Sequence, residues 1–329
     1  MPQTGDLDAS AEDPTGPPRG GTGTSAPSGG PTPVTAELAH RSSPSDVFPA
    51  EWVRLSGHRF RVTAHWPAEH AFFAPVDDRH QDPMVVGETL RQTSMVLAHA
   101  EFGAPADTHF VMRDLKVLTD PSGLRLTEAG EPVTVDVVCS EIRRRGRVLH
   151  SMRTTMEFHR AGRLVARGTG STGCTSPAAY RRLRASQLAA PGARIPLLPA
   201  IPPARVGRDR EDDVVLAPAD REGTWRLRVH TGHPVLFHRP NDHVPGMVLF
   251  EAARQAATAA SGRRPFLPSA MAVAFSRYAE LDSPCLIEAE VLDKTEDEAT
   301  VRVTGRQDDE PVFTATLTAA PPAPVQPLS

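Results

Sequence analysis

The chain has 329 residues, enough for about two domains, and its hydrophobic content of 39% is sufficient for well-packed cores. A net charge of −4 at pH 7 gives no electrostatic reason to bind nucleic acid or an anionic membrane. We find no secretory signal and no uncharged apolar run of about 18 residues, so no membrane span is predicted. Three widely spaced cysteines without metal-ligand spacing indicate reduced thiols, a cytoplasmic location and no metal site: Cys139, Cys174 and Cys285.

The first half of the chain is predicted to be a tail followed by one domain. Residues 1–44 are assigned to a disordered tail because Gly, Pro, Ser and Thr dominate its start. A domain over residues 45–174 then contains a strand at Arg59–Ala64 and a helix at Met84–Ala100, both indicated by their hydrophobic periodicity. Antiparallel strands joined by Gly-containing turns follow between residues 110 and 170.

The second half repeats this plan after a connection. Residues 175–220 are rich in Pro, Ala and Arg and predict an extended link. A second domain over residues 221–320 has a short strand, a helix that begins at the Pro245-Gly246 turn and runs through Ala260, and four further strands. Residues 321–329 are predicted to be a Pro-rich tail.

The two predicted helices share a sequence repeat. Residues 80–92 (HQDPMVVGETLRQ) and 243–255 (HVPGMVLFEAARQ) align without a gap at an offset of 163. Six positions are identical, four of them polar, and an internal repeat of this kind carries more weight than composition in assigning the fold. The identical pairs are His80 and His243, Met84 and Met247, Val85 and Val248, Glu88 and Glu251, Arg91 and Arg254, and Gln92 and Gln255.

The element order predicts an α+β fold, a double hotdog. In each half, one long helix is wrapped by a curled antiparallel sheet. The halves are expected to pair as a pseudo-dimer, joining their sheets edge to edge so that no strand edge is exposed at the centre.

Three polar side chains interrupt the second helix, which is otherwise apolar on nearly every side. Glu251, Arg254 and Gln255 are spaced to share one face. A surface ion pair is the common interpretation of such spacing and stabilises a helix only weakly. Here the apolar surroundings and the repeat in Glu88 and Arg91 favour a buried network or a catalytic site. Gln255 is interpreted as a residue that orients this pair.

The residues just before the helix are candidates for acid–base chemistry and anion binding. His243 and His80 precede their helices by a short turn, and each is either a solvated loop histidine or a base. His238 is a further candidate in the second half alone. Gly246 and Met247 open the second helix, where free amides bind anions and developing oxyanions. The first half has Pro83 opposite Gly246 and therefore one donor fewer.

Two other motifs favour structural explanations. The stretch GTGSTG at residues 168–173 lacks the lysine and the following helix of a phosphate loop and is predicted to be a strand-end linker. Four arginines at a turn predict a solvated hairpin tip, with an acidic carrier protein as the alternative partner: Arg143, Arg144, Arg145 and Arg147.

The stretch DHVPGMVLFEAARQAA resembles the AfsA family, the γ-butyrolactone autoregulator synthases, also called A-factor biosynthesis hotdog proteins. The resemblance spans roughly residues 45–320 and is most specific at 242–256. It implies a doubled hotdog and transfer of a β-ketoacyl group from an acyl carrier protein or CoA thioester to the hydroxyl of dihydroxyacetone phosphate. No cofactor is implied. Glu251 and Arg254 match the family's suspected active-site pair, a carboxylate base and a phosphate-binding guanidinium.

Two other functions stay open from the sequence. The same motif is similar to hotdog dehydratases and thioesterases. A dehydratase histidine would lie eight residues before the Pro-Gly turn, whereas His238 lies seven and His243 two residues before Pro245. A non-catalytic hotdog that binds acyl groups is the third possibility.

Overall fold

The computed structural model describes residues 29–77, 79–126, 130–189 and 192–320. Four helices and thirteen strands are present in these ranges. The helices are α1 (Met84–Ala100), α2 (Pro177–Leu183), α3 (Ala185–Ala189) and α4 (Gly246–Ser261). The strands are β1 (Thr32–Pro33), β2 (Pro49–Ser56), β3 (Arg59–Ala64), β4 (His109–Thr119), β5 (Val133–Arg145), β6 (Val148–Arg160), β7 (Arg163–Thr175), β8 (Leu216–Pro218), β9 (Thr224–Leu227), β10 (Ala270–Phe275), β11 (Leu286–Lys294), β12 (Ala299–Gln307) and β13 (Glu310–Ala319).

All of these strands belong to one antiparallel sheet with the order β1-β2-β3-β5-β6-β7-β4-β10-β13-β12-β11-β9-β8. The two halves meet where β4 pairs with β10, with Leu118 opposite Ala270 and Leu115 opposite Val273. This join leaves no exposed strand edge at the centre of the molecule. The predicted double hotdog is confirmed.

Each long helix packs on the strands of its own half, and the two helices also touch each other. A Cβ atom on Gly87 would lie 3.1 Å from Cε1 of Phe250, which stands at the equivalent position of α4. The absence of a side chain at residue 87 therefore lets α1 and α4 approach. Both helices are buried on nearly every side, as their apolar sequences predict.

The Gly-rich stretch lies inside a strand, which corrects its prediction as a linker at a strand end. Residues 168–173 form part of β7, against which α1 packs. A Cβ on Gly168 would lie only 2.5 Å from Cδ1 of Leu90. The glycines therefore serve the packing of a helix on the sheet.

Two regions outside the predicted domain cores are also ordered parts of the fold. Residues 30–44 fall in the segment assigned to the tail, yet β1 pairs with β2 and Arg41 is buried. Residues 203–218, assigned to the connection, pack against α4. The start of the tail, residues 1–28, and the segment 321–329 lie outside the described residues. The domain boundaries themselves stay a prediction.

Candidate functional site

A closed ionic network surrounds Glu251 in the middle of the second repeat. Arg254 donates two hydrogen bonds to this carboxylate, from Nε to Oε2 at 2.9 Å and from Nη2 to Oε1 at 2.6 Å. Arg208 and Gln255 donate to Oε1 at 2.9 and 2.7 Å. The Glu251 side chain is fully buried and that of Arg254 is 2% exposed. The predicted pair is therefore a buried network rather than a surface ion pair.

The first repeat contains the same network around Glu88. Arg91 donates to its two carboxylate oxygens at 2.9 and 2.6 Å, and Gln92 donates at 2.6 Å. Arg41 occupies the position of Arg208 and also bonds to Oε1. One difference is solvent access, because the Arg91 side chain is 18% exposed.

The equivalence extends beyond the helices. In the first repeat, Gln92 bridges the backbone of Asp46 and Phe48, and in the second Gln255 bridges Asp213 and Val215. These contacts align at an offset of 167, against 163 in the helices. Each network also reaches the other half, because Arg41 donates to the carbonyl of Val235 and Arg208 to that of Phe72, at 2.8 and 2.9 Å.

Both glutamates are held as carboxylates. Burial alone would raise the pKa of Glu88, but Arg41 and Arg91 outweigh it and hold this pKa well below its usual range. Burial is likewise outweighed at Glu251, where Arg208 and Arg254 lower the pKa. A carboxylate bound by two guanidiniums is a poor proton acceptor at neutral pH, so the geometry suits positioning of the arginines better than general base catalysis.

Asp82 distinguishes the two networks. Its carboxylate lies 3.0 Å from Nη1 of Arg208, and its Oδ1 accepts a hydrogen bond from the amide of Met84, the first residue of α1. Asp82 thus joins the arginine of the second repeat to the helix start of the first. The position equivalent to Asp82 is Pro245, which has no charge.

A cavity of about 620 Å³ lies beside the network around Glu88, which we call the open network because two of its arginines line this cavity. Its lining includes Arg41 and Arg91 from the first half. The second half contributes residues before and within the start of α4: His238, Arg239, His243, Pro245, Gly246 and Met247. Apolar side chains complete the wall, among them Phe110, Met112, Leu249 and Phe275. The volume and the apolar lining are typical of a small-molecule site.

His243 is fixed by a carboxylate at this cavity. Its Nδ1 lies 2.8 Å from Oδ1 of Asp242 and 3.2 Å from the hydroxyl of Tyr180. Tyr180 donates to Asp242 at 2.6 Å, and Arg184 donates to the other carboxylate oxygen at 2.9 Å. Burial would raise the pKa of Asp242, but its bonds to His243, Tyr180 and Arg184 outweigh burial and lower it. An ionised aspartate at Nδ1 leaves Nε2 of His243 available as a base.

The start of α4 offers amide donors to the same cavity. The first amides with acceptors within the helix are those of Val248 and Leu249, which donate to the carbonyl of Pro245 at 2.9 and 3.4 Å. Among the described residues, the amides of Gly246 and Met247 have no acceptor. At the equivalent place in α1, Asp82 accepts from Met84. Unpaired amides at a helix start bind negative charge.

The structure brings only some of the sequence-predicted residues to the cavity. His243, Gly246, Met247, His238 and Arg91 line it. Four predicted residues lie outside its lining: Glu251, Arg254, Gln255 and Glu88. The Glu251–Arg254 pair was expected to face a ligand, but in the structure it does not border this cavity. The physical reason is that these side chains satisfy one another inside the helix layer. His80 also lies outside this cavity, paired with Asp77 at 2.8 Å.

Arg41 and Arg239 were not found from the sequence. A signal for Arg41 existed, because Arg41, Asp46 and Val47 recur as Arg208, Asp213 and Val214 at an offset of 167. The four-residue difference from the helix offset hides this repeat from an ungapped comparison. For Arg239 the repeat offers no equivalent residue.

The remaining candidates do not form catalytic sites. All three cysteines are buried and unpaired, and burial raises the pKa of each thiol to about 12, so none is a ready nucleophile.

Within the described ranges no group of His, Cys, Asp and Glu is arranged to hold a metal ion. No helix there has the length and apolar character needed to cross a membrane. The four-arginine turn is the exposed tip of the β5–β6 hairpin.

Comparison with known proteins agrees with the geometry. Residues 23–176 and 192–322 match the family described as the A-factor biosynthesis hotdog domain. Three relatives named 2-oxo-3-(phosphooxy)propyl 3-oxoalkanoate synthase are similar along most of their length. The protein from Streptomyces coelicolor is 46% identical over 87% of this chain and 91% of its own length. The protein from Streptomyces virginiae is 46% identical over 86% of this chain and 96% of its own length. The protein from Streptomyces griseus is 44% identical over 87% of this chain and 95% of its own length. The chain therefore belongs to the A-factor biosynthesis hotdog (AfsA) family.

Proposed function

We propose that the protein is an acyltransferase that moves a 3-oxoacyl group from a thioester to the hydroxyl of dihydroxyacetone phosphate or a similar small phosphorylated acceptor. The product would be the ester for which the relatives are named, a precursor of γ-butyrolactone signalling molecules. The observation that carries this proposal is the position of His243, which is held by Asp242 at the cavity, three residues before the first residue of α4 and its unpaired amides.

The chemistry follows from these groups. Nε2 of His243 takes the proton of the acceptor hydroxyl as its oxygen attacks the thioester carbonyl carbon. The amides of Gly246 and Met247 bind the oxyanion of the tetrahedral intermediate. The intermediate then collapses, the carbon–sulfur bond breaks, and the leaving thiolate takes the proton from the imidazolium. The acyl chain lies along the apolar wall, and no covalent enzyme intermediate is needed.

The donor in this proposal is an acyl carrier protein thioester. The exposed hairpin arginines and the arginines beside the cavity support an acidic partner, since opposite charge steers association. A carrier protein holds its acyl group on a long, flexible arm that can enter a cavity. A cytoplasmic location belongs to the same proposal and is supported by the three unpaired thiols.

The test is release of free thiol from a 3-oxoacyl carrier thioester, with and without dihydroxyacetone phosphate. Transfer predicts thiol release only when both substrates are present, together with a phosphorylated ester detected by mass spectrometry. Thiol release that needs no acceptor identifies a thioesterase. Formation of an enoyl thioester from a 3-hydroxyacyl thioester identifies a dehydratase. Binding of the thioester without either product identifies an acyl-binding protein.

A further inference from the structure

The two networks differ in charge although they share their arginines and glutamates. In the second repeat, Arg208 and Arg254 are balanced by Glu251 and Asp82. In the first repeat, the ion pairs of Arg41 and Arg91 among the described residues are both with Glu88. Buried or half-buried guanidiniums are costly unless they are paired, and the first network has one carboxylate for two arginines where the second has two.

A third arginine adds to this excess. Arg239 lines the cavity, and the described residues contain no ion pair to it. Loss of water around its guanidinium and repulsion from Arg91 and Arg41 lower its pKa. With Arg41, Arg91 and Arg239 against Glu88, the open network has two uncompensated positive charges, whereas the closed one has none.

His238 supplies an unused donor at the same place. Nη1 of Arg41 lies 3.3 Å from Nδ1 of His238 and donates to it, so the proton of the neutral imidazole is on Nε2. Burial and Arg41 lower the pKa of His238 to about 4, which keeps the ring neutral at pH 7. Its Nε2 is buried and has no hydrogen-bond partner among the described residues. In the second repeat, Nη1 of Arg208 faces the carboxylate of Asp82 instead.

We propose that the phosphate monoester of the acceptor binds between Arg41, Arg91, Arg239 and His238, and that Asp82 fills the equivalent site of the second repeat with a carboxylate of the protein itself. A phosphate monoester is close to a dianion at neutral pH and has three acceptor oxygens. Its two negative charges therefore match the two excess positive charges of the open network. The chain then has one anion site, although its sequence contains two copies of the helix motif.

This inference deepens the proposed acyl transfer, and its test is designed to separate the two. Inorganic phosphate and glycerol 1-phosphate are titrated calorimetrically into the full chain without any thioester. Arg239 has no ion pair among the described residues, and although its guanidinium is partly buried at the cavity the residue as a whole is exposed, so the fold should tolerate Arg239→Gln. We expect one site per chain in the wild type and about tenfold weaker phosphate binding in Arg239→Gln, the loss typical of a charge-assisted contact.

Arg226→Gln is the matched control, because it removes the same charge from β9, outside the cavity. Equal affinity in Arg239→Gln and wild type overturns the proposal, as does equal weakening in both variants. In the transfer assay, phosphate should compete with the acceptor; competition with the thioester instead would assign the site to the phosphodiester of the donor's arm. If the calorimetry holds but thiol release needs no acceptor, the anion site stands and acyl transfer fails.

Discussion

The first and second repeats show how one motif serves two purposes. Both bury a glutamate that holds two arginines and a glutamine, and both bond across to a carbonyl of the other half. Asp82 completes the second network, which is closed and neutral, while the first borders a cavity. The two copies thus share one framework, and a single carboxylate distinguishes the closed copy from the one that borders the cavity.

The largest expected effect separates the two pre-helix histidines. His243→Gln should lower kcat/KM of acyl transfer about a thousandfold, because it removes the base at the cavity. His80→Gln is the matched control, since His80 is also held by an aspartate but lies outside the cavity. Its kcat/KM should stay within about threefold of the wild type. Equal losses in the two variants would contradict the role of His243.

The two glutamates test whether the closed network is structural. Glu251→Gln should lower the free energy of unfolding by about 3 to 5 kcal/mol, because Arg208 and Arg254 lose their common partner. Glu88→Gln should also destabilise, but added phosphate should recover part of the loss because an anion can reach Arg91 through the cavity. Urea unfolding with and without phosphate measures both. Phosphate bound at the intact first repeat should stabilise the wild type and Glu251→Gln equally, so a larger gain in Glu251→Gln than in the wild type would show that the second site is open.

Removing the carboxylate of Asp82 should cost less, since Glu251 still faces Arg208. We expect Asp82→Asn to lower the free energy of unfolding by about 2 to 3 kcal/mol, measured by urea denaturation. The control Asp136→Asn removes a carboxylate from an exposed pair with Arg61 and should change stability by under about 1 kcal/mol. A loss no greater than that of the control would mean that Asp82 does not balance the network.

The reciprocal change adds a carboxylate to the open repeat. Pro245→Asp places it at the position equivalent to Asp82, beside the start of α4 and the cavity. We expect phosphate affinity to fall about tenfold or more, because the new charge competes for the same arginines. Pro234→Asp adds the same charge at an exposed residue outside the cavity and should leave the affinity unchanged. Calorimetric titration compares the two, and unchanged binding in Pro245→Asp would break the proposed equivalence.

The smallest expected effect is on the pH dependence of stability. Burial and neighbouring charges lower the pKa of His238 to about 4 and that of His40 to about 3, from 6.5. The unfolded chain then binds more protons, so stability is lost as the pH falls from about 6.5 towards 4. His238→Asn should reduce this slope by up to about 1.4 kcal/mol per pH unit. The exposed His65→Asn is the control, and an unchanged slope in His238→Asn would contradict the shift.

The comparison between repeats also explains which features of the fold could be predicted from the sequence. Apolar periodicity predicted both long helices, and alternation of apolar and polar residues predicted most of the sheet, because burial of one face gives a periodic pattern along consecutive residues. The pairing of Glu88 with Arg91 and of Glu251 with Arg254 follows from helical spacing alone. The ungapped repeat then predicted two matched halves, which the structure confirms.

The arginines from outside the helices were harder to find. Arg41 lies in a segment whose composition favours disorder, and Arg208 lies in one that favours an extended link. Each is ordered by a glutamate 43 or more residues further along the chain, through contacts that only form when the halves pack together. Local composition has no information on such long-range partners, so propensity arguments fail there.

By itself, the sequence determined the two long helices, most of the long strands, the duplication and the chemical groups on the two helices, since these depend on spacing along the chain. Only the tertiary structure decided which copy borders the cavity. That choice depends on Asp82 of one half meeting Arg208 of the other, and on Arg91 of the first half meeting the start of α4 at one cavity. Both are contacts between the two halves of the pseudo-dimer. The net charge of each buried cluster therefore depends on residues that are far apart in the sequence.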